Sequence, residues 1–458
     1  MSAWQVRRTA CRYAVVPLTV LFAAVGCREG DGQVGLDEPT SSPEPTVPAA
    51  EVAVPTVAGP DEAEGVEEFD WRTAGLDVGV RDLQVWGSVL VGTAEQNFTA
   101  PSDLVSESDD EGCVGFEAGR SGEVVQSSDG LTWKGLGSQP SWYDGPTTVE
   151  EWARRTAANE SPFDDVDQVA LLVQQDQLFA VSHRRDGHRD ELAPTAGVVI
   201  VEAWDDVNET WEPLSGTDRV IRSSEVSAAS GSAGLVVVAN GSEGEPLLWT
   251  LTGGEMVSAE DPVLDRLLAT GAADLGSDAE LADLLRSFEL FATSDGFVAQ
   301  FAVGDGEFVM LRSEDGREWT EVTDAPSSEL NELAAYEGVV IATAFGEELW
   351  RSNDDGRTWD LDTAVPGGAI IDIAAGAGGW ALWTADPGGI PDAIYYSPDA
   401  SRWQEINDLS GQDIDWVTGL AVTSDAIVAI TGYTPNGGWV CPDIVTQSYQ
   451  AHLRPFGS

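Results

Sequence analysis

A short motif that brings a serine hydroxyl, a carboxylate and an indole ring together recurs along the chain. Each copy reads Ser, any residue, Asp, a tight turn that usually contains Gly, and then Trp. Three copies lie at 313–319, 352–359 and 397–403, and a fourth lies upstream at 127–133. Ser and Asp side chains can serve nucleophilic or acid–base chemistry, or they can cap the backbone N–H groups of a turn.

The spacing of the copies indicates repeated structural units. Trp319, Trp359 and Trp403 are 40 and 44 residues apart, a period typical of the blades of a β-propeller. From about residue 69 onward, short strand-like runs alternate with turn clusters. Seven units are recognisable, at 77–136, 166–214, 221–258, 288–322, 331–361, 370–406 and 415–454. We therefore predict an all-β, seven-bladed propeller over 69–458, with a six-bladed ring as the alternative.

Two insertions and the closure of the ring complete the predicted architecture. Residues 146–160 and 262–287 have the caps and apolar spacing of short helices. The seventh unit has a third strand-like run at 443–449 but no clear fourth strand. We predict that Glu68–Thr73 pairs into that unit as its outer strand and leaves no open edge.

The repeated motif resembles the Asp-box, the bacterial neuraminidase repeat of sialidase-like propellers. The resemblance covers residues 70–455 as architecture and only the motif segments as sequence. It implies that the boxes are structural turns between the outer two strands of a blade. The copy at 397–403 has Ala400 where Gly is expected, so a different turn is expected there. The residues assigned to structural boxes are Ser127, Asp129, Gly130, Trp133, Ser313, Asp315, Gly316, Trp319, Ser352, Asp354, Gly356, Trp359, Ser397, Asp399 and Trp403.

The same resemblance raises the question of sialidase activity. Sialidases of this superfamily carry an early Arg-Ile-Pro segment, three Arg residues that bind the substrate carboxylate, and a Tyr–Glu nucleophile pair. The chain has no Arg-Ile-Pro segment, no Tyr of the chain lies in a recognisable Tyr–Glu context, and no spacing singles out a pair of facing carboxylates. No catalytic residue is assigned. The leading hypothesis is a non-catalytic protein- or glycan-binding module. The alternatives are a glycoside hydrolase with a central acidic cleft and an assembly factor for an envelope complex, as some Asp-box propellers are.

The long insertions are predicted to share one face of the propeller, opposite the boxes. One of them carries the only basic cluster of the mature chain, which consists of His183, Arg184, Arg185, His188 and Arg189. Arg side chains bind carboxylates with two hydrogen bonds, so this cluster is a candidate anion site. It equally fits a solvated loop paired with its own Asp and Glu residues. Trp439, in another insertion, is a candidate for stacking on a sugar or for ordinary packing.

Charge disfavours nucleic-acid partners. The net charge is −56, and Lys134 is the single lysine. Such a surface repels polyanions, although acidity throughout a salt-adapted proteome explains it equally well. Cys113 and Cys441, the two Cys residues outside the predicted signal and lipidation site, make a poor metal site by themselves. Neither metal nor cofactor is therefore predicted.

The N-terminus has the pattern of an export signal. Basic Arg7, Arg8 and Arg12 precede an apolar run at 13–25. The run ends in Ala-Val-Gly-Cys, which resembles a bacterial lipobox, so 1–26 is predicted to be a lipoprotein signal peptide and Cys27 to carry a diacylglycerol. An ordinary secretory signal, an uncleaved anchor and a twin-arginine signal remain alternatives.

Membrane attachment places the protein outside the cytoplasm. Residues 27–68 read as a disordered, acidic tether rich in Pro, Ser and Thr. The compartment permits disulfides. Because Cys11 leaves with the signal and Cys27 takes lipid, Cys113 and Cys441 remain as a predicted pair across the ring closure. The propeller is predicted to be a monomer.

Overall fold

Strands are the only regular elements in the part of the chain that the structure describes. The structure is a computed structural model, and it describes residues 71–76, 78–95, 122–142, 166–185, 196–217, 220–241, 246–259, 289–302, 308–344, 348–362, 368–386, 391–406, 414, 416–433 and 448–456. Both predicted helical insertions, at 146–160 and 262–287, lie outside these residues.

The strands form seven antiparallel four-stranded blades, as predicted, which excludes the six-bladed alternative. The first strands of blades 1 to 7 are β2 (Gly79–Trp86), β6 (Val166–Gln174), β10 (Val220–Gly231), β14 (Glu289–Ala292), β18 (Leu330–Tyr336), β22 (Ala369–Gly376) and β26 (Trp416–Val422). The second strands are β3 (Val89–Glu95), β7 (Gln177–Arg185), β11 (Gly234–Gly241), β15 (Phe297–Ala302), β19 (Val339–Ala344), β23 (Gly379–Ala385) and β27 (Ala426–Tyr433). 

The third and fourth strands complete the blades. The third strands are β4 (Glu123–Ser127), β8 (Ala196–Asp205), β12 (Pro246–Thr252), β16 (Phe308–Ser313), β20 (Glu348–Ser352), β24 (Pro391–Ser397) and β28 (Ser448–Pro455). The outer strands are β5 (Lys134–Gly135), β9 (Thr210–Pro213), β13 (Glu255–Ala259), β17 (Trp319–Glu321), β21 (Asp360–Asp362), β25 (Gln404–Glu405) and β1 (Arg72–Leu76). The first residues of β10 also pair with β8, so blades 2 and 3 share one continuous sheet.

The ring is closed by the N-terminal strand. β1 pairs antiparallel with β28, from Arg72 opposite Leu453 to Leu76 opposite Tyr449. The prediction of closure by this segment is confirmed, but the bounds are different. The described strand begins at Arg72 and continues past the predicted end at Thr73 to Leu76, and the third strand of blade 7 continues past the predicted end at Tyr449 to Pro455. Residues 68–70 and 443–447 lie outside the described residues. β1 therefore covers the edge of β28 and completes blade 7 as a four-stranded sheet.

The core consists of apolar layers between neighbouring blades. The second strands are the most deeply buried, and every residue of β23 is buried. Alternate residues of each strand point to the two faces of its blade, so one strand contributes to two layers. Trp249, for example, is fully buried between blades 2 and 3 in a layer with Val181, Val201 and Val237.

Blades 4 and 5 are also joined by a buried ion pair. Arg312 of β16 donates through Nη2 to Asp355 Oδ2 at 3.0 Å, and the side chains are 6% and 3% exposed. Thr293 Oγ1 donates to the same carboxylate oxygen at 2.8 Å, and Arg312 Nε donates to the Asp355 carbonyl at 2.8 Å. These hydrogen bonds compensate the cost of removing both charges from water.

Candidate functional site

The two ends of the blades differ in the length of their connections. We call the end that joins first to second and third to fourth strands the turn face. Its connections are short, such as 87–88, 337–338 and 377–378. The opposite end, the loop face, holds the connections between second and third strands and between blades. The longest connections all belong to it, at 96–122, 136–165, 260–288 and 434–447. The strand order confirms that the insertions leave one face.

The four motif copies form turns on the turn face, and the copy in blade 5 shows their geometry. Ser352 Oγ donates to Asp354 Oδ1 at 2.8 Å and accepts the Gly356 N–H at 2.8 Å. The carboxylate of Asp354 accepts the Thr358 N–H at 2.8 Å and the Thr358 hydroxyl at 2.7 Å. Burial opposes ionisation of Asp354, but the hydrogen bonds from Thr358 outweigh it and lower the pKa. The buried Trp359 donates from Nε1 to the Gly356 carbonyl at 3.1 Å. All these polar groups are directed into the turn itself.

The copy in blade 6 reaches the same left-handed backbone region without Gly, but the buried Nε1 of Trp403 has no hydrogen-bond partner among the described residues, unlike Nε1 of Trp319 and Trp359. Ala400 has a φ of +57°, close to the +72° of Gly130 and the +74° of Gly316. The left-handed region disfavours a side chain, but the Ala400 methyl group is fully buried in a layer with Ile341 of blade 5. Contacts with the neighbouring blade thus offset the backbone strain.

Removal of one turn carboxylate should cost stability. We expect Asp354→Ala to lower the free energy of unfolding by about 1–2 kcal/mol, because the N–H and hydroxyl of Thr358 lose their acceptor. Urea denaturation measures the change. The exposed Asp360 on the adjacent strand β21 is the matched control, and Asp360→Ala should leave the midpoint near that of the wild type. An unchanged midpoint for Asp354→Ala would contradict a structural role for the carboxylate.

The structure does not bring the basic cluster together within the described residues. His183 and Arg184 belong to β7 and not to a loop. The His183 side chain is buried and lies over Gly197, where an added Cβ would stand 2.3 Å from Nε2, whereas Arg184 is exposed. Adjacent residues of a strand point to opposite faces, which separates the two side chains. The Arg185 side chain, His188, Arg189 and Trp439 lie outside the described residues.

Three further predicted site residues also lie outside the described residues. Cys27, Cys113 and Cys441 belong to segments that the structure does not describe. Within the described ranges, no group of three His, Cys, Asp or Glu side chains is placed to hold a metal ion. The same ranges contain no helix of the length and apolar character needed to span a membrane.

The first strands carry a feature that the sequence analysis missed. Six of them contain a register shift against the second strand near their loop-face ends. Such β-bulges redirect side chains and are frequent next to functional sites. In blade 1 the bulge holds Asp82 at a φ of +51°. Its Oδ2 accepts hydrogen bonds at 3.0 Å from Thr93 Oγ1 and from Gln168 Nε2 of blade 2. The bulge of blade 1 thus presents a carboxylate near the loop-face end of its first strand.

Two further carboxyl groups of blades 1 and 2 are withdrawn from water. The buried Glu202 accepts hydrogen bonds from the N–H and the hydroxyl of Ser141 at 2.8 and 2.7 Å. Glu123, at the start of β4, has a pKa raised by burial. A raised pKa is what a general acid needs, so Glu123 is the described carboxyl group to test for hydrolytic chemistry.

Comparison with known proteins finds only distant structural matches. No protein-family model and no curated protein matches the chain. Among solved structures, YCF48 from Cyanidioschyzon merolae aligns with a TM-score of 0.45 at 12% identity, over 84% of this chain and 98% of that one. Trypanosoma rangeli sialidase aligns with a TM-score of 0.38 at 14% identity, over 82% and 54%. The β-propeller domain of the Trilobed protease from Pyrococcus furiosus aligns with a TM-score of 0.43 at 9% identity, over 77% and 91%.

Proposed function

We propose that the chain is a non-catalytic binding module that engages a protein or a glycan through its loop face. The observation that carries this proposal is that short and long connections between strands lie on opposite faces of the propeller. The turn face is closed by short turns whose polar groups bond to their own backbone. All the long connections leave the opposite face, where the bulge of blade 1 also presents the Asp82 carboxylate. Binding residues lie preferentially on loops held by a rigid scaffold.

Binding and hydrolysis should be measured on the same protein. We expect the full chain to bind a defined ligand on a glycan array or in a protein-interaction screen, and not to hydrolyse aryl glycosides. Replacing 186–195 by a short Gly-Ser turn, or Asp82 by Ala, should weaken binding. Asp354→Ala on the turn face should leave it unchanged.

Two results would contradict the proposal. Loss of binding from turn-face substitutions alone would place the ligand on the other side. Hydrolysis that disappears in Glu123→Gln would favour the glycosidase alternative, because the amide cannot donate the proton that the leaving group needs.

We also propose that the four turns are Asp-boxes and that the propeller is sialidase-like. The support is the position of the turns between third and fourth strands in blades 1, 4, 5 and 6, together with their shared Ser–Asp hydrogen bond. This assignment implies a scaffold and carries no activity.

Membrane attachment through lipidated Cys27 is a further proposal, supported by the export pattern that ends in Ala-Val-Gly-Cys. We expect Cys27→Ala to release the protein from the membrane fraction, because a diacylated Cys supplies two acyl chains and their loss removes stable anchoring. Fractionation followed by immunoblotting measures the release. Retention of the variant in the membrane would place the anchor elsewhere.

A disulfide between Cys113 and Cys441 is proposed from the topology. Cys113 belongs to the loop-face connection 96–122 of blade 1, and Cys441 to 434–447 of blade 7. The two blades are neighbours, since Val80 and Leu90 of blade 1 pack with Val428 and Ile430 of blade 7. Non-reducing peptide mapping should recover the two Cys residues in one linked peptide. Recovery of two free thiols would exclude the pair.

A further inference from the structure

One buried imidazole spans three strands of the closing blade. His452 of β28 is fully buried. Its Nε2 lies 2.8 Å from Thr431 Oγ1 of β27, and its Nδ1 lies 3.0 Å from Thr73 Oγ1 of β1. Trp71, just before β1, meets the imidazole edge to face, with ring centroids 6.4 Å apart at 87°. The N-terminal segment therefore covers one side of the imidazole with Thr73 and Trp71.

This environment favours the neutral ring. A neutral imidazole has one N–H donor and one acceptor, and the two threonine hydroxyls can complement either arrangement. Burial lowers the pKa of His452 from 6.5 to about 4. Both ring nitrogens lie within hydrogen-bond distance of a threonine hydroxyl, and neither is hydrogen-bonded to a carboxylate of the described residues.

The charged groups around His452 also favour its neutral form. Arg454 shares the strand and donates to the Ile406 carbonyl. Blade 6 packs on this side of blade 7 through apolar residues such as Trp383 and Ile394. Burial, followed by the charges of Glu405 and Asp392, raises the pKa of Tyr395, which packs on the opposite side of blade 6, with blade 5. On β1, Arg72 is exposed.

We propose that β1 is an acid-released closing strand, and that detachment of β1 from β28 and protonation of His452 occur together. Detachment removes Thr73 and Trp71 and opens the imidazole to water, where the charged form is stable. An imidazole in water titrates near 6.5. The pairing of β1 is therefore fully favoured above that pH and weakens as the pH falls from 6.5 towards 4.

Hydrogen exchange of the full chain tests the proposal. After correction for the intrinsic exchange rate, the opening constant for residues 72–76 should rise roughly 70-fold between pH 7.5 and 4.5, the ratio set by the two titrations of His452. The amides of β22 and β23 in blade 6 are the internal reference, and their protection should change far less. Equal changes in both blades would indicate global unfolding and would overturn the proposal, as would pH-independent protection of β1.

Three variants separate the imidazole from other acid effects. His452→Gln keeps a donor and an acceptor but cannot take a proton, so the pH response of β1 should vanish. His183→Gln, which removes another buried imidazole, should retain the response. Thr73→Val should raise opening at every pH and keep the rise on acidification, which gives a test even if His452→Gln does not fold. Persistence of the full response in folded His452→Gln would refute the role of His452.

Discussion

Replacing Arg312 with Met should lower the free energy of unfolding by about 3–5 kcal/mol, because it leaves the buried Asp355 carboxylate without its counter-charge. Asp355 is held at a φ of +62° by the turn of blade 5, so it cannot readily turn towards solvent. Thr293 and the Asp295 N–H would still donate to it, but neutral donors compensate only part of the cost. Urea denaturation monitored by tryptophan fluorescence measures the loss.

Two further variants make this prediction specific. Arg312→Met combined with Asp355→Asn should recover a large part of the stability, since the amide keeps the hydrogen bonds without the charge. Arg357→Ala removes the exposed partner of Glu314 and should leave the midpoint near that of the wild type, because exposed pairs contribute little. A small effect of Arg312→Met, similar to that of Arg357→Ala, would mean that Asp355 is hydrated in the folded protein.

Gly316→Ala should cost about 2–4 kcal/mol, the sum of left-handed backbone strain and overpacking. Gly316 has a φ of +74°, and an added Cβ would lie 2.2 Å from Val236 Cγ2 on the second strand of blade 3. Gly356 in blade 5 faces Val298 of blade 4 in the same way. The turn glycine thus sets how closely one blade approaches the next.

Gly338→Ala is the matched control for this prediction. Gly338 has a φ of +81°, but an added Cβ would meet nothing within 4 Å. It should therefore show only the backbone strain, about 1 kcal/mol. The difference between the two variants in a thermal or urea denaturation series measures the contact between blades. Equal losses would show that the neighbouring blade yields without cost.

The propeller could be predicted because its signal is repeated. Trp319, Trp359 and Trp403 mark equivalent positions, and each blade repeats the same order of apolar strands and turns. The ends of the ring lack this redundancy. The predicted third strand of blade 7 ends at Tyr449, whereas β28 continues to Pro455 in its pairing with β27 and β1. Its Tyr449, Ala451 and Leu453 face blade 1. Pairing with strands that are distant in sequence extends this strand beyond its predicted end.

The candidate site was harder to predict, because its features arise from pairing across strands. A β-bulge is a mismatch between two strands, so the position of Asp82 has no local sequence signal. His183 is predicted to lie in a polar loop with Arg184 and Arg185. Strand β7 instead continues through all three residues, and the His183 side chain is buried. His452 became notable only when Thr73, distant in sequence, was placed beside it.

The closing strand also determines how the propeller responds to mechanical tension. The chain before Trp71 continues into β1, which is held by five residue pairs with β28. Trp71 itself donates from Nε1 to the Ile406 carbonyl of blade 6 at 3.4 Å, so a pull on that end of the chain acts first on this contact and on the outer edge of blade 7. The tether proposed for residues 27–68 would pull there. The first strand to yield would be β1, with the other three strands of blade 7 still paired to one another.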